Sequence, residues 1–372
     1  MSPSPPPTTS RSSATEGALS VWDTSSDKDR ILEQIKYIPI SFKQSTSLQH
    51  RPRVILVSNS PESWGKKRGN VSFMEDECLV QNCVLVGGEY KKKVDVVIFH
   101  TSLADIDDYA TNIDEDTVKI LFVLESPYVS DNYSKNEGYI NWTATYRRDS
   151  TIVAPYEKFD LFPNSSQVVN LKKHYPKNFA SGKTKMAAIF ISNCRGANRR
   201  MDIVQELQKY ITVDVYGQCG NLECPRTSSE ECFKLLNEDY KFYLAFENAN
   251  CRDYITEKFF VNGLRNDVIP VVMGAHPDDY RKVSPPHSYI HVEDFPTIRA
   301  LAEYMKELDQ NDNKYNEYFQ WKGTGSFIDT KFFCRICSLV NDDNKPRLVV
   351  DNLEEWWHSK DVCRPGPWLV TH

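Results

Sequence analysis

The apolar positions of this chain fall in short continuous runs separated by longer polar or helical stretches. RVILVSNS opens at Arg53, VDVVIFH covers residues 94–100 and VKILFVLES covers 118–126. Runs of this length, rich in Val and Ile and without polar alternation, predict strands buried on both faces, as in a parallel sheet. A second series begins with a strand over 186–192. It continues with a helix over about 198–210, which has Ile203, Val204 and Leu207 at core spacing, and a strand over 211–216. Residues 242–272, FYLAFENANCRDYITEKFFVNGLRNDVIPVV, read as strand, acid-bearing turn, helix and strand. A strand over 288–292 and a helix over 297–308, with Leu301, Ala302, Met305 and Leu308 on one face, follow. Two successive strand-and-helix series predict two α/β domains. The polar stretch 173–185 reads as the linker between them, and residues 1–30 lack periodicity and read as disordered.

Length supports the division, since 372 residues exceed one ordinary core. A net charge of -6 gives no support for nucleic-acid binding, and the short clusters 91–93, 147–148 and 199–200 read as solvated faces. No apolar run reaches the length of about 18 residues that spanning a bilayer requires. Ten cysteines and four sequons, at Asn70, Asn132, Asn141 and Asn164, favour an oxidising secretory setting. The start, MSPSPPPTTSRSSATEGALS, lacks the apolar core of a signal peptide and opposes that inference. CRIC at 334–337 has a second reading as half of a zinc site, although no partner motif accompanies it.

Candidate chemistry concentrates where strands end. Glu247, Asn248, Thr256, Glu257 and Lys258 crowd the strand-to-helix switch, where open α/β sheets bind ligands. Lys258 opposes the dipole of its own helix, so it answers an anion or forms a surface ion pair with Glu257. The loop SNCRGANRRMD places Ser192, Asn193, Arg199 and Arg200 between a strand and a helix start. That arrangement suits a phosphate, or is simply a surface Arg pair. Glycine-rich nucleotide motifs are absent, which argues against an NTPase or a nicotinamide enzyme. Glu125 ends an apolar strand before Pro127, where partial desolvation would raise its pKa toward that of a base; its alternative is a turn residue. Asp105–Ile106–Asp107 and the 341–344 cluster are the metal candidates, and both read as solvated turns.

FENANCRDYITEK with the following IPVV strand closely resembles the donor-site signature of the α1,3-fucosyltransferases, and NWTATYRRDS at 141–150 resembles a second motif of that family. Ala249 stands for the usual Ser, and Thr151 stands where the family carries a second acid, which puts any role of that acid in doubt. The resemblance implies a GT-B architecture of two Rossmann-like α/β domains facing a cleft. It implies an acceptor-side domain over 46–180 and a GDP-fucose domain over 181–330. A stem-like segment over 1–45 and a C-terminal tail over 331–372 flank them. It assigns Glu125 as catalytic base and Ser192, Arg200 (in preference to Arg199), Glu257 and Lys258 to the donor, with Lys258 facing the diphosphate. Tyr243, Asn248 and Tyr146 match further donor contacts. It ties Cys334 and Cys337 to the N-terminal domain, with Cys78 and Cys83 as partners. Closeness in sequence makes Cys219 and Cys224 a local pair, with Cys232 an alternative.

The implied reaction is inverting transfer of L-fucose from GDP-β-L-fucose to the 3-hydroxyl of GlcNAc on a glycoprotein glycan. No metal is required, because Arg200 and Lys258 neutralise the phosphates, and a divalent cation (Mn or Mg) would at most stimulate. The implied compartment is the Golgi lumen, and the chain looks like stem and catalytic part without the family's membrane anchor. A transferase using another nucleotide sugar and a non-catalytic glycan-binding relative are the alternatives.

Overall fold

The computed structural model describes residues 21–25, 28–44, 51–104, 106–163, 177–225, 227 and 229–369. The Pro/Ser/Thr-rich start over 1–20, Asp105, Asn164 and the first four residues of the expected linker, 173–176, lie outside the described residues. The chain forms two units that exchange it several times. Unit 1 takes Met1–Val123, Asp131–Ala154 and Thr330–Leu353, and unit 2 takes Leu124–Ser130, Pro155–Asp329 and Glu354–His372. The domain change therefore does not fall at 173–185, and the tail is divided between the units at Leu353.

Unit 1 holds β1 (Arg53–Val57), β2 (Cys83–Val86), β3 (Val96–His100), β4 (Val118–Val123) and β5 (Trp142–Thr145) in the order β2-β1-β3-β4-β5. All neighbours are parallel. The three apolar runs of the sequence are its central strands, buried on both faces as their composition requires. β5 lies inside the NWTATYRRDS motif, where two threonines weaken the apolar signal. Thr143 and Thr151 exchange hydrogen bonds, each backbone N–H donating to the other's hydroxyl at 3.1–3.2 Å. Thr151 is buried, with its hydroxyl committed to the Thr143 N–H and its carbonyl to Arg30 and Gln34.

The segment expected to be a disordered stem over 1–45 is ordered from Val21 in its described parts. Asp29 caps the helix Arg30–Ile35. Arg30 donates to the carbonyls of Thr151 (3.3 Å) and Arg148, and Gln34 donates to those of Val21 and Thr151, both at 3.0 Å. Buried polar bonds help hold this segment beside the buried Val21 and Ile31, and hydrophobic periodicity does not report those bonds. The helix Phe332–Val340 carries the CRIC motif and forms the bridges Cys78–Cys334 and Cys83–Cys337. Both sulfurs are thereby used, which removes the zinc reading. Asn341 and Asp342 are also committed: Asn341 donates to the Cys337 carbonyl at 2.9 Å, and Asp342 accepts from Tyr37 at 2.6 Å.

Unit 2 holds β6 (Lys158–Leu161), β7 (Lys185–Phe190), β8 (Val213–Tyr216), β9 (Tyr240–Phe246), β10 (Asn250–Cys251), β11 (Ile269–Met273), β12 (Ile290–His291), β13 (Gly325–Ile328) and β14 (Cys363–Arg364). The main sheet runs β12-β11-β9-β7-β8, all parallel, beside the antiparallel pairs β13–β6 and β10–β14. β9 is buried at every position and alternates with the two-residue period of a strand. Phe242, Leu244 and Phe246 join the core with Val204, Leu207, Leu301 and Met305. Tyr243 and Ala245 join the opposite core with Phe259, Phe260 and Leu264.

The bridges of unit 2 are Cys194–Cys219, Cys224–Cys232 and Cys251–Cys363, so the expected local pair Cys219–Cys224 does not form. The parallel pairing of β7 and β8 continues past their ends, with Ile191 N–H donating to the Tyr216 carbonyl at 2.8 Å. That register brings the loop holding Cys194 beside Cys219. Gly217, at φ +94°, makes the approach possible, because a Cβ there would lie 2.6 Å from the Ile191 carbonyl oxygen.

Candidate active site

β7 and β9 are neighbours in a parallel sheet, so the segments leaving their carboxyl ends meet. The sharpest chemistry is at the end of β9. Glu247 is fully buried, and its carboxylate accepts from the Thr256 N–H (2.8 Å) and the Thr256 hydroxyl (2.9 Å). The Lys258 ammonium lies 3.2 Å from Glu247 and 3.0 Å from Glu257, and it donates to the Thr256 hydroxyl at 2.9 Å. A Cβ at Gly274 would sit 2.6 Å from the Glu247 side chain, so glycine there is what lets the carboxylate pass.

Burial pushes the Glu247 pKa above the usual carboxylate range, with Lys258 opposing it. Burial also acts to lower Lys258, but Glu247 and Glu257 together hold its pKa above that of a free lysine. Glu257 is lowered despite its burial, because Lys258 sits beside it. The result is one ammonium held between two carboxylates, with an 18% exposed side chain. The anions that Lys258 answers inside the chain are Glu247 and Glu257.

The loop after β7 is packed against this segment. A Cβ at Gly196 would come within 3.0 Å of the Asn248 carbonyl oxygen and 3.3 Å of Asn198 Oδ1. Asn198 donates to the Glu247 carbonyl (3.0 Å) and to Asn250 Oδ1 (2.8 Å). Arg200 is buried, and its guanidinium donates to the carbonyls of Phe246 (2.7 Å) and Asn193 (2.9 Å). Burial lowers its pKa, Glu247 acting the other way. Three buried polar atoms, Asn198 Oδ1, Arg200 Nε and Asn248 Oδ1, have no hydrogen-bond partner among the described residues. Buried polar atoms left this way mark places that a ligand or ordered water completes.

The turn 250–254 is braced from outside. Asp279, fully buried, accepts from Arg252 at 2.8 Å and from the Asp253 N–H at 2.9 Å, and Cys251 is bridged to Cys363. Nearby, the Tyr156 hydroxyl donates to the Leu124 carbonyl at 2.8 Å, next to Glu125 in the chain. Glu247, Glu125 and Glu257 all act on this phenol. Unit 2 thus brings Glu125, Glu247, Asn248, Glu257, Lys258 and Arg200 into one region.

Several sequence-derived assignments change. Glu125 is exposed, so the desolvation expected of it at a strand end is absent, because the chain leaves the sheet after Val123. Arg200 turns inward to backbone carbonyls, while Arg199 is exposed in the left-handed region and pairs with Asp202. Tyr243 is fully buried in the core formed with Phe259 and Phe260, and its hydroxyl accepts from Asn262 at 3.0 Å. Ser192 is exposed in the loop, and Tyr146 is buried in unit 1 after β5. Asn70 and Asn132 are exposed. Asn141 instead commits its side-chain amide: Nδ2 donates to the Leu348 carbonyl at 3.0 Å, and Oδ1 accepts from the Lys119 N–H at 2.9 Å. Among the described residues no group of three His, Cys, Asp or Glu is placed to hold a metal ion. Cys194, Gly196, Asn198 and Tyr156 escaped sequence reasoning; only the crowding of SNCRGAN around a strand end hinted at the first three.

The family described as "Fucosyltransferase, N-terminal" matches residues 50–157, and "Glycosyltransferase family 10 (fucosyltransferase) C-term" matches 180–356. Glycoprotein 3-alpha-L-fucosyltransferase A of Drosophila melanogaster is 43% identical over 349 residues, 91% of this chain and 67% of that protein. Alpha-(1,3)-fucosyltransferase C of the same species is 35% identical over 66% of this chain and 60% of its own length. The chain therefore spans about two thirds or less of these relatives. Among solved structures, an alpha1,3-fucosyltransferase crystallised with GDP-fucose shares the fold. Its TM-score is 0.52 and its identity 16%, covering 85% of this chain and 97% of the other. The α/β fold is of that GT-B type.

Proposed function

The chain belongs to glycosyltransferase family 10, among the α1,3-fucosyltransferases, and from that premise we propose that it transfers L-fucose from GDP-β-L-fucose to the 3-hydroxyl of a GlcNAc residue in glycoprotein glycans. The observation that carries this reading is the buried Glu247–Thr256–Lys258 cluster with Glu257 at the carboxyl end of β9. It supplies a fixed cation for a diphosphate and carboxylates for sugar hydroxyls, in a segment whose sequence matches the family's donor signature.

In this reading Glu125 accepts the proton of the acceptor hydroxyl as its oxygen attacks the anomeric carbon. The bond from that carbon to GDP breaks on the opposite face, the phosphate takes the electron pair, and β becomes α. The charge developing on the leaving diphosphate is met by Lys258. Arg200 acts through the backbone, holding the 193–200 loop against the end of β9. The partners are GDP-fucose and a GlcNAc-bearing glycoprotein glycan. No metal takes part in our reading, and Mn or Mg would stimulate at most. Five disulfides support an oxidising, Golgi-type lumen as the working compartment.

The test is a transfer assay with a panel of nucleotide sugars and GlcNAc-terminated, LacNAc, LacdiNAc and N-glycan-core acceptors, with and without EDTA. Fucose delivered from GDP-fucose in α1,3 linkage, persisting in EDTA, is the expected result. Transfer from another nucleotide sugar, or glycan binding without turnover, would overturn the donor assignment. Loss of activity in EDTA restored by Mn would overturn the metal assignment.

A further inference from the structure

The segment Leu124–Ser130 carries Glu125 out of β4 and packs in unit 2 without a helix or strand of its own. An exposed base on such a segment needs outside support, because proton transfer demands hydrogen-bond reach to the acceptor hydroxyl. Two supports are present. At the leading end, the Tyr156 hydroxyl donates to the Leu124 carbonyl at 2.8 Å, and Tyr254 is its second hydrogen-bond partner. Burial, helped by Glu247, Glu125 and Glu257, raises this phenol far above its ordinary pKa, so it remains a donor throughout the working range.

At the trailing end, Val129 and Ser130 close a turn on the Ser126 carbonyl at 3.0 and 3.2 Å. The indole N–H of the buried Trp357 donates to the Ser130 hydroxyl at 2.7 Å. His358 Nε2 lies 3.1 Å from the Pro127 carbonyl and 3.3 Å from the Ser130 hydroxyl, and its Nδ1 lies 3.1 Å from Glu354. Trp357 and His358 follow the last family-matched residue, 356, so the family match does not mark them.

We propose that Tyr156 at one end, and Trp357 and His358 at the other, are positioning residues that hold the Glu125 segment where its carboxylate meets the acceptor hydroxyl. The proposal rests on the reading of Glu125 as the base. The hydrogen bonds of these residues go to the segment's backbone and to Ser130, so they act directly on the geometry of Glu125.

The experiment compares Tyr156→Phe, Ser130→Ala and Glu125→Gln, singly and combined, measuring kcat, GDP affinity by calorimetry, and thermal stability. Misplacing a catalytic group by about 1 Å costs up to ~100-fold, so each positioning variant should lose about tenfold in kcat. GDP affinity should stay within about twofold, because no donor contact is removed. In the Glu125→Gln background, Tyr156→Phe should cause no further loss, since a misplaced base no longer matters once the base is gone.

An equal additional loss in the double variant, or parallel falls in kcat and GDP affinity, would show a merely structural role and overturn the proposal. Full activity in both Tyr156→Phe and Ser130→Ala, beside an inactive Glu125→Gln, overturns it alone. Near-normal turnover in Glu125→Gln overturns the base reading and the positioning role with it.

Discussion

Replacing Lys258 with Met removes the ammonium between Glu247 and Glu257 while keeping an unbranched side chain of similar length. Glu247 has no exposure to water, and Lys258 is its only cationic partner within ion-pair distance among the described residues. Breaking a buried ion pair from one side costs about 3–5 kcal/mol. Thr256 still offers Glu247 two hydrogen bonds, at 2.8 and 2.9 Å, which places the expected loss at the lower end, about 3 kcal/mol near neutral pH. The pH dependence has a definite sign. Glu247 already titrates above the ordinary carboxylate value through burial, so the folded state binds more protons than the unfolded state above that value. Its stability contribution is therefore complete at acid pH and is lost as pH rises through the folded pKa. Lys258 lowers both Glu247 and Glu257, so its removal raises both and extends the loss toward neutral pH. Urea unfolding of both proteins at pH 5.5 and 7.5 reads this directly. The variant should be less stable at both, with the smaller deficit at the lower pH. An equal deficit at both values, or one under about 1 kcal/mol, would refute the buried-pair argument. GDP calorimetry on the same samples should show at least about a tenfold weaker complex, from loss of a charge-assisted contact.

Arg200→Met should leave the Phe246 and Asn193 carbonyls without their donor and destabilise the protein by about 2–4 kcal/mol, read by thermal unfolding. Weakened GDP binding with unchanged stability would instead make Arg200 a direct phosphate contact. Gly274→Ala should collide with Glu247, at 2.6 Å and at φ +147°, and reduce transfer and stability together; an unaltered enzyme in both assays would contradict the close approach. Arg30→Ala should cost about 1–3 kcal/mol by freeing the turn at 148–151, and unchanged melting would return the segment before residue 36 to the status of a dispensable stem.

The sheets were legible where burial alone decides the residue type. β1, β3, β4, β7, β9 and β11 are predominantly apolar runs, because a central parallel strand is covered on both faces. β5 was not, since Thr143 and Thr145 satisfy their hydroxyls locally: Thr143 pairs with Thr151, and Thr145 lies 2.6 Å from Ser150. Such residues look polar in sequence and behave as core in the fold. The segment before Tyr37 was missed for a related reason. Its hold comes from Arg30 and Gln34 donating to buried carbonyls, bonds that require the partner chain segment to be in place before they mean anything.

The site was legible in composition and misread in orientation. Sequence placed Glu247, Glu257 and Lys258 in one window, and the fold makes them one ion cluster. It could not say which way a side chain turns at a strand end. On β9 the two-residue alternation gives Tyr243 and Glu247 the same face, but Tyr243 lies within the strand and packs beside Phe190, 5.3 Å away, while Glu247 lies past the strand's end and enters the cluster. For Arg200 the deciding feature is a pair of carbonyls, that of Phe246 at the end of β9 and that of Asn193 in the loop after β7. A guanidinium satisfies both at once, at 2.7 and 2.9 Å, and its planar fork makes it better suited than lysine to do so. An arginine eight residues past Ser192 thus joins the loop to the strand end, and in the proposed reading it is Lys258 that meets the diphosphate.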